Sequence, residues 1–85
     1  MYYLYLLQCA DGTFYTGITV DLARRVKEHN ESKLGAKYTR ARRPVKLVYW
    51  RRFKDRSTAS QAEYALKQLN HQEKAQLLAK KSKKL

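Results

Sequence analysis

Tyr2-Tyr3-Leu4-Tyr5-Leu6-Leu7-Gln8-Cys9-Ala10-Asp11-Gly12-Thr13-Phe14-Tyr15-Thr16-Gly17-Ile18-Thr19-Val20 is the stretch that decides the fold. Residues 2–7 and 14–20 are rich in aromatic and branched apolar side chains, the composition of strands. The Asp-Gly pair between them signals a hairpin. Loop length then sets which faces the side chains take. A two-residue Asp11-Gly12 loop would pair Gln8 with Tyr15 and Tyr5 with Ile18, sending Tyr5 and Tyr15 to opposite faces. A three-residue Ala10-Asp11-Gly12 loop places Gly12 at a left-handed position, which suits glycine. It pairs Leu7 with Tyr15 and Tyr5 with Gly17, puts both tyrosines on one face, and leaves room over Gly17 for the Tyr5 ring. A site shared by the two tyrosines requires this register or a bulge, and this register is the one predicted.

Working outward, Asp21 can cap a helix of about ten residues. Leu22 and Val26 would face the core, and Arg25 and His29, four apart, would share one flank. Residues 32–44 read as a loop, punctuated by Ser32, Gly35 and Pro44 and charged by Lys37, Arg40, Arg42 and Arg43. Val45 to Phe53 reads as a third strand. Thr58-Ala59-Ser60-Gln61 fits a capping box opening a second helix, with an apolar stripe at Ala62, Ala65, Leu66 and Leu69 and Glu63 at its edge. Asn70-His71-Gln72-Glu73 resembles one more helix start, leading to Leu77 and Leu78. The predicted order is ββαβαα: an α+β domain over residues 1–79, followed by a basic, frayed tail over residues 80–85.

Eighty-five residues allow one domain with a thin core. Cys9 is the single cysteine, so no internal disulfide forms, and cytoplasm is the expected compartment. No leader or membrane span is expected from the short apolar start. The net charge is +12 and unevenly placed: residues 1–23 hold no Lys or Arg, whereas residues 24–56 hold thirteen against three acids. A neutral strand pair beside a dense basic middle is a polyanion footprint, nucleic acid rather than membrane.

Hydrolysing a phosphodiester requires a positioned water, stabilisation of charge on the pentacovalent phosphate, and neutralisation of the leaving oxygen. Tyr5 and Tyr15 are candidates to orient or deprotonate the water, although an ordinary phenol, with a pKa of about 10, is a poor base at neutral pH. Arg25 can fork onto two phosphate oxygens. Glu63 is a candidate metal ligand, since one carboxylate holds Mg²⁺ when phosphate and water complete the octahedron. His29 is a candidate second base or phosphate contact. Lys37, Tyr38, Arg40, Arg42 and Arg43 combine cations with an aromatic, which suits backbone contact and base stacking. Arg24, on another side of the predicted helix from Arg25, is a further basic contact. The chain has neither a cysteine–histidine zinc cluster nor a Gly-rich phosphate loop.

Tyr3-Leu4-Tyr5, Tyr15-Thr16-Gly17, Arg24-Arg25 with Glu28-His29-Asn30, and Lys37-Tyr38-Thr39-Arg40, in that order, resemble the GIY-YIG nuclease superfamily, in particular its small stand-alone bacterial members. The resemblance covers roughly residues 1–79. It implies a three-stranded antiparallel sheet flanked by helices. It also implies Mg²⁺- or Mn²⁺-dependent endonuclease action on DNA, more than on RNA, in repair or recombination. The family's tyrosines fall on Tyr5 and Tyr15, its glycine on Gly17, its arginine on Arg25, a histidine of some branches on His29, and its metal-binding glutamate on Glu63. Tyr3 replaces the first-motif glycine, Ile18 replaces a lysine of some members, and Asn70 only loosely matches an asparagine beyond the glutamate. Many relatives carry an extra binding domain for targeting, so a protein partner is an expectation here. The competing expectation is a basic accessory module that grips DNA or RNA without cutting it.

Overall fold

The computed structural model describes residues 1–82; the end of the basic tail expected over residues 80–85 lies outside the described residues. Strands β1 (Tyr2–Gln8) and β2 (Phe14–Thr19) form the hairpin. Tyr5 pairs with Gly17 and Leu7 with Tyr15, the register of the three-residue loop. Cys9 N–H donates to the Thr13 carbonyl at 2.8 Å, and Gly12 closes the turn with φ of 85°. That left-handed backbone is why glycine stands there.

Helix α1 (Leu22–Glu31) begins where Asp21 accepts a hydrogen bond from Arg24 N–H. The stretch expected as a plain loop contains a single helical turn, α2 (Lys37–Arg40). Strand β3 (Lys46–Phe53) then pairs antiparallel with β1, giving the sheet order β2-β1-β3. The central strand is covered on both faces, so its side chains are buried whichever way they point. Tyr5, Leu7 and Cys9 form one cluster with Leu22 and Val26 of α1, while Leu4 and Leu6 face the opposite cluster. Burying each such leucine stabilises the fold by roughly 1.5–3 kcal/mol.

A bulge interrupts the β1–β3 ladder between Leu6 and Leu7. Leu7 opposes Leu47 and Leu6 opposes Tyr49, so Val48 is the extra residue. Leu47 therefore packs on the Tyr5 side while Val48 and its neighbour Tyr49 both pack on the other. Beyond the bulge, Trp50 directly opposes Tyr5.

Helices α3 (Arg56–Lys67) and α4 (His71–Ser82) cover the Leu4/Leu6 face through Ala62, Leu66, Leu77 and Leu78, with Leu69 of the link between them. The start of α3 corrects the expectation of a Thr58 cap. Asp55 is the cap, and its carboxylate accepts from Thr58 N–H at 2.8 Å and from the Thr58 hydroxyl at 2.9 Å. A carboxylate three residues upstream satisfies the orphan N–H and complements the helix dipole, so the helix begins earlier. At α4 the capping box is reciprocal: Asn70 N–H donates to Glu73, and Glu73 N–H donates to Asn70, both at 2.8 Å.

Candidate active site

Tyr5 sits at the middle of the central strand, 2% exposed, with its ring lying over Gly17. A Cβ at position 17 would stand 2.4 Å from the Tyr5 hydroxyl oxygen and 2.6 Å from Cζ, closer than any side chain tolerates. Glycine is required here by close approach. The Tyr5 hydroxyl is hydrogen-bonded to His29 Nε2 at 3.0 Å, and His29 Nδ1 to the Thr39 hydroxyl at 2.7 Å. Thr39 is delivered by α2, and its hydroxyl also lies 2.9 Å from the Ala36 carbonyl. Both hydroxyls can donate or accept, so either tautomer of neutral His29 keeps both bonds.

His29 and Thr39 are both fully buried. Burial, reinforced by the nearby Arg25 and Arg43 charges and only partly opposed by Glu28, pushes the His29 pKa down to about 4. The imidazole is therefore neutral at pH 7. Burial also raises the Tyr5 pKa above the ordinary phenol value; the hydrogen bond and charge of Arg25 pull it the other way, while Tyr15 and Glu63 add to the rise.

Tyr15 lies on the same face, its ring centroid 5.1 Å from that of His29 and 6.5 Å from that of Tyr5. Tyr38 stacks on its outer side at 6.0 Å, and the Arg42 guanidinium sits 3.9 Å above the Tyr38 ring. Arg25, one helical turn before His29, donates through Nη1 to Glu28 at 2.9 Å and to the Leu34 carbonyl at 2.8 Å. These bonds fix the guanidinium while leaving part of it open to solvent. Glu63 stands on α3, half-buried and ion-paired with Lys67 at 3.3 Å. Its charge reaches Tyr5, which ties α3 to the same site. Tyr5, Tyr15, Gly17, Arg25 and His29 thus come together from β1, β2 and α1, and Glu63 of α3 acts on Tyr5 through its charge.

Among the described residues no three His, Cys, Asp or Glu side chains gather around one point. That does not suit zinc, which takes at least three protein ligands. A single hard carboxylate does suit Mg²⁺ or Mn²⁺, which keep several waters and share substrate phosphates. Glu63 is the residue that would hold such an ion.

The basic residues divide into two kinds. Lys37, Arg40 and Arg24 are exposed, with Arg24 only loosely paired to Glu28 at 3.5 Å. Arg42 is tied to Asp11 at 3.0 Å and to the Tyr38 carbonyl at 2.9 Å. Arg43 is turned inward: its guanidinium donates to the carbonyls of His29, Glu28 and Ser32 at the end of α1. Arg43, expected to contact nucleic acid, also has a scaffold role, since its Nε and Nη2 donors are held by backbone carbonyls. Sequence reasoning left two supporting residues without a role. Thr39 orients His29. Asn30 clamps the entry to β3, donating to the Val45 carbonyl at 2.9 Å and accepting from Val45 N–H at 2.7 Å. The available signal was the adjacency of Asn30 to His29. A cleft of about 250 Å³ opens beside Tyr15, lined by Phe14, Thr16, Tyr38, Lys67 and Lys74.

The described helices include none long and apolar enough to cross a membrane. The family model described as the GIY-YIG catalytic domain matches residues 1–76. A UPF0213 protein of Desulfotalea psychrophila is 57% identical over 77 residues, covering 91% of this chain and 70% of the relative. One from Clostridium perfringens is 48% identical over 82 residues, covering 96% of this chain and 87% of the relative. The solution NMR structure of a UPF0213 protein from Bacillus halodurans matches with a TM-score of 0.58 at 45% identity, covering 93% of this chain and 84% of that one. The solution NMR structure of the protein EF2693 from E. faecalis gives a TM-score of 0.62 at 46% identity, covering 93% of this chain and 83% of that one. With its sheet order, its Tyr5 ring over Gly17 with Tyr15 beside it, and these likenesses, the chain belongs to the GIY-YIG catalytic-domain family.

Proposed function

We propose that this protein is a metal-dependent endonuclease that hydrolyses DNA phosphodiester bonds, selecting structure or cutting without sequence preference, with a role in repair or recombination inside the cytoplasm. The observation that carries the reading is the buried Tyr5–His29 hydrogen bond at 3.0 Å, with Tyr15 packed against both rings and Arg25 beside them. A phenol whose pKa is raised does not ionise by itself at pH 7. It works as a relay. As water attacks phosphorus, its proton passes to the Tyr5 oxygen while the Tyr5 proton passes to His29 Nε2, in the tautomer whose Nδ1–H donates to Thr39. The new P–O bond forms as the bond to the 3′ oxygen breaks; that oxygen takes up a proton from solvent water, and His29 then gives its proton back through Tyr5 to solvent, restoring the starting state. Tyr15 orients the water from the neighbouring strand. Arg25 binds the equatorial phosphate oxygens through its solvent-facing donors. A Mg²⁺ or Mn²⁺ ion held by Glu63 would supply Lewis-acid stabilisation of the departing oxygen. Lys37, Tyr38, Arg40 and Arg24 contact the strand, and a protein partner supplies targeting.

The second reading is a basic module that binds DNA or RNA without cutting, favoured by the Glu63–Lys67 ion pair, which neutralises the only carboxylate assigned to metal. Labelled branched and duplex DNA, incubated with Mg²⁺ or Mn²⁺ or with EDTA, separates the two. Metal-dependent nicking by the native protein that Glu63→Ala abolishes, with binding retained, is the expected result. Tight, salt-sensitive binding with no product would replace the nuclease by the binding module. Nicking unchanged in Glu63→Ala would remove the metal role from that residue.

A further inference from the structure

Trp50 is the only tryptophan of the chain and is 50% exposed, although it stands directly opposite the buried Tyr5 in the β1–β3 ladder. The bulge at Val48 is what turns it to the Tyr5 side of the sheet. Its ring is steadied by Tyr3, edge to face at 6.0 Å, and Tyr3 is in turn opposite Arg52. Arg52, the next residue on the Trp50 face of the strand, is exposed, as are Lys54 and Arg56 just beyond the strand, whereas Arg51 turns to the other face, over the Phe53 ring at 5.7 Å. A large ring held in place at the surface, with a cation next to it on the same face and a candidate phosphodiester site across the ladder, has the form of a stacking surface for a nucleobase.

We infer that Trp50, braced by Tyr3, is a nucleobase-stacking subsite that positions the bound strand beside Tyr5, with Arg52, two residues on along the same face, holding an adjoining phosphate. The inference rests on the nucleic-acid reading above. The base it receives must be unstacked from its neighbours, because a duplex offers its π-faces only at its ends. Charge decides against a second copy of this chain as the occupant: two such surfaces would oppose cation to cation.

The single tryptophan makes the test direct. Native protein is titrated with a single-stranded dT oligonucleotide, and with an abasic oligonucleotide of equal length, without divalent cations. Tryptophan emission and oligonucleotide anisotropy are read together. The dT strand is expected to quench emission along the anisotropy isotherm, and the abasic strand to bind more weakly without quenching. Trp50→Ala should weaken dT binding by about five- to a hundred-fold, the effect of losing one stacked base. Trp50→Phe, which keeps a ring, should bind within about three-fold of the native protein if most of that stacking energy is retained. Equal quenching by the abasic strand, or native affinity in Trp50→Ala, would overturn the subsite. So would emission that changes with protein concentration alone, which would place a second copy on the ring. Nicking of DNA is scored separately. Quenching without any nicking refutes the nuclease reading and keeps the subsite; nicking without quenching does the reverse.

Discussion

Acidification from pH 7 to about 4.5 should destabilise this protein mainly through His29, since the lowered carboxylates of Asp11 and Asp55 lose their contribution only at lower pH. Its imidazole is fully buried and neutral, with its pKa pushed from 6.5 to about 4. The groups facing it are Tyr5, Tyr15, Thr39, Arg25, Arg43 and Glu28, and the two cations outweigh the one acid. The sign follows from proton counting. Between pH 6.5 and 4 the unfolded chain binds a proton that the folded chain refuses, so stability is full above 6.5 and falls as pH falls toward 4. At 1.36 kcal/mol per pKa unit the whole loss is roughly 3 kcal/mol, of which roughly 2.5 arises between pH 7 and 4.5. That is a large share of the ~5–15 kcal/mol that holds a domain together. Urea unfolding of the native protein and of His29→Gln, at matched pH values from 7.5 to 4.5, isolates the term, because the carboxylates titrate alike in both. The native protein should lose its advantage over the variant as pH falls, and the ring protons of His29 should show no titration above pH 5 by NMR. A pH-independent difference between the two proteins, or an imidazole titrating near 6.5, would refute the reasoning.

Four other predictions follow from contacts in and beyond the site. Gly17→Ala pushes a methyl group into the Tyr5 ring and should cost about 1–3 kcal/mol from overpacking, plus about 1 kcal/mol if the His29 bond is lost; unfolding at the native urea midpoint would contradict the close approach. Arg43→Ala leaves three carbonyls at the end of α1 without their charged donor and should destabilise by about 2–3 kcal/mol. Arg40→Ala, an exposed position, should leave stability within ±0.5 kcal/mol and reduce the salt dependence of DNA binding. Asp55→Ala should lose a helix cap, about 1 kcal/mol, and circular dichroism melting should show a larger effect than Thr58→Ala, since Asp55 rather than Thr58 caps α3.

The hairpin register was legible because only one loop length gives Gly12 its left-handed turn and lets both tyrosines share a face. The same arithmetic brought Gly17 under Tyr5, and helical period put Arg25 and His29 together. What stayed out of reach depended on partners distant in sequence. Nothing in residues 37–40 alone says that Thr39 meets His29, ten residues earlier, or that the turn α2 forms to deliver it. The Val48 bulge was equally hidden, since Val, Tyr and Trp in a row fit any strand register. Thr58 looked like a cap because hydroxyl capping and carboxylate capping compete locally, and only the structure shows which side chain reaches the open N–H.

Helix α1 explains why so many cations crowd one short segment of the chain without all of them being available to a polyanion. Arg25 and His29 turn toward the sheet, Glu28 holds Arg25 in place, and Asn30 ties the helix to the first turn of β3. Its carbonyl end is then closed by Arg43, where the helix dipole favours a cation. Arg42 is likewise drawn to Asp11 of the hairpin loop. The loop that follows α1 therefore folds back onto the helix by means of its own charges, and that folding is what carries Thr39 to His29. Lys37 and Arg40, on the outer side of the same loop, are left facing solvent. Composition alone reads these residues as one basic patch. The structure divides them into arginines bound into the fold around His29 and the hairpin loop, and cations left facing solvent.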